Sequence, residues 1–349
     1  MLILEVGFCE ISWSVAEGGK LFDQGSETFH HAEISVQIQK LITQASDIAY
    51  SLVNGGDIFL KPITRLAPED LSRLERVIPL FPLANCMTFA MAESGLRLRP
   101  NINHYLLCET AYFHDMPLKT SAFALPFAYL KKGVRRFGGD GLYHQWAWEA
   151  TYQRIDRLQR LVSVHLGDAP NMAALLNGHA LETSLGFSPL DGIPSLTGCG
   201  EIDPDIVLLL AEHGVLPDEI ELTLAQKSGL SALLGRKAHW SEVASAASPQ
   251  FGLARQLLLN QIIKAVGLGM AALCGVDAIL FGFESVTPWF GLIQEVCRKL
   301  QFAGIDQTGG NIDQKIERFT GAHSRVQVLG LDYQPALSIV KWLQEMNYA

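Results

Sequence analysis

Three stretches of the 349-residue chain hold the side chains that could do chemistry. The first is VSVHLGDAPNMAALLNG, closing at Gly178, which reads as strand, glycine turn, strand. Backbone N–H groups in such a turn can cradle a phosphate. His165 and Gly167 suit that role, whereas Asp168 places a carboxylate where a phosphate needs donors. The second stretch pairs Glu109 with Asp140. Two carboxyls can share acid/base work, and Glu109 can also meet a divalent cation. Acids at strand ends equally serve as solvated groups or helix caps. The third is LTGCGEIDP, with Gly198 and a lone thiol, Cys199, that has no base beside it in sequence. His165 reads either as a ligand contact or as a hydrogen-bonded core histidine. His144 reads as structural, and His30-His31 as loop.

Elements that alternate along the chain must position these groups. Residues 2–6 and 11–16 form a strand pair. Apolar residues Ile34, Ile38, Leu41, Ile42, Ala45, Ile48, Ala49 and Leu52 keep helical spacing, and Asn54-Gly55-Gly56 predicts that helix's end. Pro68 with two acids opens a short helix. PLANCMTFAMAESG predicts a helix closing at Gly95, and INHYLLCE a strand. GLYHQWAWEATYQRIDRLQR predicts an amphipathic helix feeding the strand LVSVHLG. Asp203 caps a helix that begins at Pro204. Further helices are expected at 217–228, 240–247, 251–273, 289–303 and 334–347, with strands at 276–281 and 325–331. The class is α/β.

Composition narrows the possibilities. Hydrophobic residues make up 48% and charged residues 18%, against about 25% charged in ordinary soluble domains. A large core and a subunit interface both absorb such an excess. The net charge of −9 excludes a nucleic-acid partner, which needs a basic face. The basic cluster Lys131, Lys132, Arg135 and Arg136 reads as a helix end and solvated turn. Six cysteines lack CxxC spacing and fit a reduced, cytoplasmic compartment. AVGLGMAALCGVDAILFGF, broken by glycines and Asp277, reads as buried helix and strand, so no membrane role is expected.

Two long segments carry a resemblance. They are CETAYFHDMPLKTSAFALPFAYLKKGVRRFGGDGLYH at 108–144 and VSVHLGDAPNMAALLNGHALETSLGFSPLDGIPSLTGCGEIDPDIVLLL, ending at Leu210. QKSGL at 226–230, GVDAILFG at 275–282 and CRKLQFAGI at 297–305 continue in order. Together they resemble the acetate kinase (acetate/propionate kinase) family. The resemblance implies a two-lobed actin-like, sugar-kinase-like (ribonuclease H-like) fold with a cleft between the lobes. It divides the chain into an N-terminal lobe of 1–107 plus 335–349 and a nucleotide-type, dimerising lobe of 108–334. It also implies phosphoryl transfer from ATP to a carboxylate, with Mg²⁺, by a homodimer.

Residue by residue, the resemblance gives an altered site. In EVGFCEIS, Glu5 stands for an asparagine, and Phe8, Cys9 and Glu10 for serines. In the substrate region Ser51 and Gly198 stand for arginines, and Asn54 for a histidine. Glu109 replaces an aspartate and Asp140 a histidine expected at the transferring phosphoryl. Leu142 replaces a threonine, while His144 stays. In the phosphate and nucleotide region His165, Gly167 and Gly282 stay, Asp168-Ala169 replaces Asn-Gly, and Phe283 and Glu284 replace a glycine and an apolar residue. A metal-associated glutamate falls at Gln334 or Pro335. One arginine on a transferring phosphoryl is worth about 10³–10⁵ in rate. A carboxylate about 4 Å from a phosphate oxygen costs roughly 4 kcal/mol at an effective dielectric near 20. The expectation is an acetate-kinase-like protein without efficient phosphotransfer, acting on a protein partner or small ligand. An active carboxylate kinase with a remodelled site is the alternative, and a metal enzyme using the carboxylates a third.

Overall fold

The computed structural model describes residues 1–7, 10–17, 20–29, 33–245, 252–283, 288–307, 318–321 and 323–348. The chain divides into two compact units. Unit 1 comprises Met1–His114, Phe123–Tyr143 and Gln334–Ala349, and unit 2 comprises Asp115–Ala122 and His144–Tyr333. Residues 108–114 and 123–143, placed by the resemblance in the second lobe, cluster with unit 1.

Unit 1 holds strands β1 (Leu2–Val6), β2 (Glu10–Glu17), β3 (Lys20–Thr28), β4 (Asp47–Leu52), β5 (Ile63–Arg65) and β6 (Asn103–Cys108), ordered β3-β2-β1-β4-β6-β5. β1, β4 and β6 run parallel, and β2, β3 and β5 pair antiparallel. Unit 2 holds β7 (Arg160–His165), β8 (Asn171–Leu176), β9 (His179–Thr183), β10 (Ala278–Phe283) and β11 (Gln327–Asp332), ordered β11-β10-β7-β8-β9. β7, β10 and β11 are parallel, with β8 and β9 returning antiparallel. Each unit thus has an antiparallel three-strand meander whose first strand opens a run of three parallel strands. In both, the carboxyl ends of the parallel strands meet at one sheet edge, the usual place for a site in such sheets.

Three readings of the sequence need correction. The helix read through residue 52 covers only Val36–Gln44. Ser35 caps it by accepting from the Ile38 N–H at 3.1 Å, and Ala45 turns extended. DIAYSL is instead β4, buried from Ile48 onward. A strand covered on both faces reads as a continuous apolar run, and periodicity cannot separate it from a buried helix. The helix assigned an end at Gly95 continues, spanning Pro82–Leu98. Gly95 is there for clearance: a Cβ would overlap the Tyr50 hydroxyl, which bonds His104 Nδ1 at 2.9 Å. The helix read over GLYHQWAWEATYQRIDRLQR stops at Tyr152. Polar β3 and the short β5 and β9 carried no signal that was read. Phe8, Cys9, His30-His31 and Glu284 lie outside the described residues.

Candidate functional site

In unit 1, parallel pairing sets Leu4 beside Tyr50 and Leu52 beside Cys108. The segments leaving β1, β4 and β6 therefore start from one edge. Glu109 follows β6 directly and opens a 3-10 turn, Glu109–Phe113. Its Oε2 accepts the Leu142 N–H at 3.2 Å, in the first turn of helix Gly141–Tyr152. Asp140, just before that helix, has φ 52°, a left-handed conformation that costs an L-residue roughly 1–2 kcal/mol. Gly141 permits the approach, since a Cβ would overlap the Glu109 carbonyl oxygen.

The electrostatics follow from that crowding. Loss of water pushes the Glu109 carboxyl up to about 8, the Asp140 and Glu5 charges push the same way, and the Leu142 N–H opposes them. The charges that act on Glu109 are both negative. Glu109 is therefore largely protonated at neutral pH and can donate a proton or hydrogen bond.

The proposed substrate residues are occupied with structural work. Ser51 is buried, and its hydroxyl accepts the Val6 N–H at 2.8 Å. Its carbonyl accepts from the Thr88 hydroxyl. Asn54 is also buried. The Asn85 side chain grips its backbone on both sides, donating to the carbonyl at 2.8 Å and accepting the N–H at 3.3 Å. Asn54 Oδ1 accepts the Gly56 N–H at 3.0 Å. Asp57, next in the loop, pairs with Arg135 at 2.7 Å.

In unit 2 the hairpin is braced by a buried chain of hydrogen bonds. His144 is fully buried between the Ser163 hydroxyl at 2.9 Å and Asn171 Oδ1 at 2.8 Å. The Asn171 amide donates to the Ala169 carbonyl at 2.9 Å, so its oxygen must receive the His144 Nε2 proton. Nδ1 meets the Ser163 hydroxyl, which can donate or accept there. The histidine read as structural thus reaches the turn through Asn171. His165 stands edge-on to Tyr333 at 5.9 Å and close against Gly167, where a Cβ would lie 2.7 Å from its ring. Gly282 pairs with His165, and its carbonyl accepts the Leu166 N–H at 2.8 Å. Asp168 is exposed at the turn. Phe283 points into the core of unit 2 and packs on Gly330.

Gly198 is buried and tied to Ser195 in both directions, its N–H reaching the Ser195 hydroxyl at 2.7 Å. Burial pushes the neighbouring Cys199 thiol up, which disfavours a thiolate nucleophile. Asp203 accepts the Asp205 N–H at 2.9 Å as an N-cap. Pro335 begins helix Pro335–Tyr348. Among the described residues, no three His, Cys, Asp or Glu side chains assemble as a metal site. Ser163, Asn171, Asn85 and Thr88 were missed in the sequence; isolated polar residues inside apolar runs were the available sign.

The fold is the mixed α/β fold of the two-lobed actin-like class. Acetate kinase from Entamoeba histolytica superposes with a TM-score of 0.83 at 23% identity, covering 99% of this chain and 98% of that one. A propionate kinase from Francisella tularensis gives 0.84 at 19%, covering 97% of each. The acetokinase family model matches residues 19–333, and the chain belongs to that family. The acetate kinase of Geobacillus sp. (strain WCH70) is 27% identical over 94% of this chain and 87% of its own length. That of Fervidobacterium nodosum is 30% identical over 88% of this chain and 78% of its own. Among the described residues, no helix is long and apolar enough to cross a membrane.

Proposed function

We propose that this member of the acetokinase family lacks efficient phosphoryl transfer between ATP and a carboxylate and works as a binding or scaffold protein. One observation carries the reading: the charges acting on Glu109 are those of Asp140 and Glu5, both of the sign a phosphate repels. Ser51 and Gly198, where the resemblance puts arginines, are buried and engaged with Val6 and Ser195. Two lost guanidinium groups account for about 10⁶ in rate at the lower bound of 10³ each. Purified protein with acetate or propionate, MgATP and hydroxylamine is expected to give no acyl hydroxamate above background. Robust product that disappears in Glu109→Ala overturns the reading.

The alternative, an active carboxylate kinase with a remodelled site, is favoured by the acid retained at position 109 and the tight His165–Gly167 turn. It requires thermal stabilisation by MgATP, about 2.7 kcal/mol at a hundredfold excess over Kd. We also assign a cytoplasmic homodimer. Helix Pro204–Glu212, PDIVLLLAE, buries none of its residues and exposes Ile206, Leu208 and Leu209, a pattern that calls for a covering surface. Light scattering of a monomer at micromolar concentration would remove that assignment.

A further inference from the structure

We propose that the strip Ala124–Lys132 in unit 1 docks an acidic protein segment that carries apolar side chains. The strip surrounds one helical turn, Phe127–Leu130. Leu125, Phe127 and Tyr129 are 53%, 64% and 49% exposed, three large apolar side chains within five residues. Lys131 and Lys132 follow, both exposed. The Lys131 ammonium lies 5.3 Å from the Phe127 ring centroid. Among the described residues, neither lysine joins an ion pair. Their neighbours are spent differently: Arg135 pairs with Asp57 and lies over Phe137, and Arg136 lies over Phe123.

Charge identifies the occupant. From Met116 to Gly139 the sequence holds no Asp or Glu, in a chain of net charge −9. The strip is therefore a cationic, aromatic segment of an acidic protein, and the carboxylate brought beside it, Asp57, is engaged by Arg135. Opposite charges across an interface speed encounter and fix register, while desolvated aromatic anchors supply affinity. An anionic bilayer would attract the strip but repel the rest of the chain. A second copy meeting it through a two-fold axis would oppose lysine with lysine. An acidic segment with apolar residues meets both features without either penalty. The proposal extends the binding-protein reading, and its test is a titration that a phosphotransfer assay does not decide.

The probe is a short fluorescein-labelled peptide alternating Glu with Leu and Phe, followed by anisotropy, beside the same peptide with Lys for Glu. Wild type is expected to bind the Glu peptide saturably and not the Lys peptide. Lys131→Glu with Lys132→Glu should weaken the Glu peptide about tenfold or more, and raising salt to about 0.5 M should do the same to wild type. Phe127→Ser with Tyr129→Ser should lose similar affinity at unchanged charge. All four positions are exposed, so both variants should keep the wild-type melting curve. Equal affinity of wild type and the charge-reversed variant overturns the proposal. So does absence of saturable binding, or binding confined to phosphatidylserine vesicles. Self-association that the lysine reversal abolishes, without peptide binding, overturns it as well.

Discussion

The two units place their candidate residues at equivalent edges, yet they treat charge in opposite ways. In unit 1, Glu109 is withdrawn from water toward two further carboxyls and carries the repulsion as a raised proton affinity. In unit 2, the hairpin rests on a buried hydrogen-bond relay from Ser163 through His144 and Asn171 to Ala169, and its one acid, Asp168, stays in solvent. The same strand arrangement thus supports a proton-storing corner in one unit and a buried hydrogen-bonded brace in the other. Fold geometry fixes where a site lies, and the local charges decide what it can hold.

The contrast can be broken from either side. Removing the relay should do the most damage. His144→Ala strands the Ser163 hydroxyl and the Asn171 carbonyl in the core and should cost about 3 kcal/mol in urea unfolding. Gly141→Ala should cost about 2 kcal/mol, because the new methyl group meets backbone at Glu109. Gly167→Ala meets the His165 side chain first, at 2.7 Å, rather than backbone, and should cost less.

The pH response sharpens the comparison. The Glu109 carboxyl titrates higher when folded, at about 8, than its ordinary value of 4.5. The folded chain then holds the extra proton between those values, so stability falls as pH rises through that window and the loss is complete above about 8. Glu109→Gln keeps an acceptor for the Leu142 N–H and cannot ionise. It should gain about 1–2 kcal/mol on wild type at pH 8.5, and nothing at pH 4. A parallel pH dependence in both proteins would assign the effect elsewhere. Asp168→Asn, at an exposed position, should change stability by less than about 0.5 kcal/mol in urea unfolding at pH 7.

Much of this was legible in the sequence, and the gaps have physical reasons. Caps and turn glycines act locally, so Asp203-Pro204, the strand–turn–strand at Gly167 and most helices read correctly. β4 was misread because Ile48, Ala49 and Leu52 continue the helical spacing of Ile38 and Ile42 by coincidence, and only the sheet beside them separates the two. β3 was missed because it is an edge strand rich in polar residues. That Ser51 and Gly198 stand where the resemblance expects arginine could be read, but the partners that engage them could not. Val6 and Ser195 are distant or unremarkable in sequence and meet these positions only after folding.

The Ser51 hydroxyl that receives the Val6 N–H also limits what can be engineered at the end of β4. Ser51 is buried, so a long cation placed there would displace the hydroxyl and take from the Val6 N–H its acceptor. An arginine introduced at 51 therefore needs compensating changes in the β1 segment before the effect of its charge can be read separately from the damage to the fold.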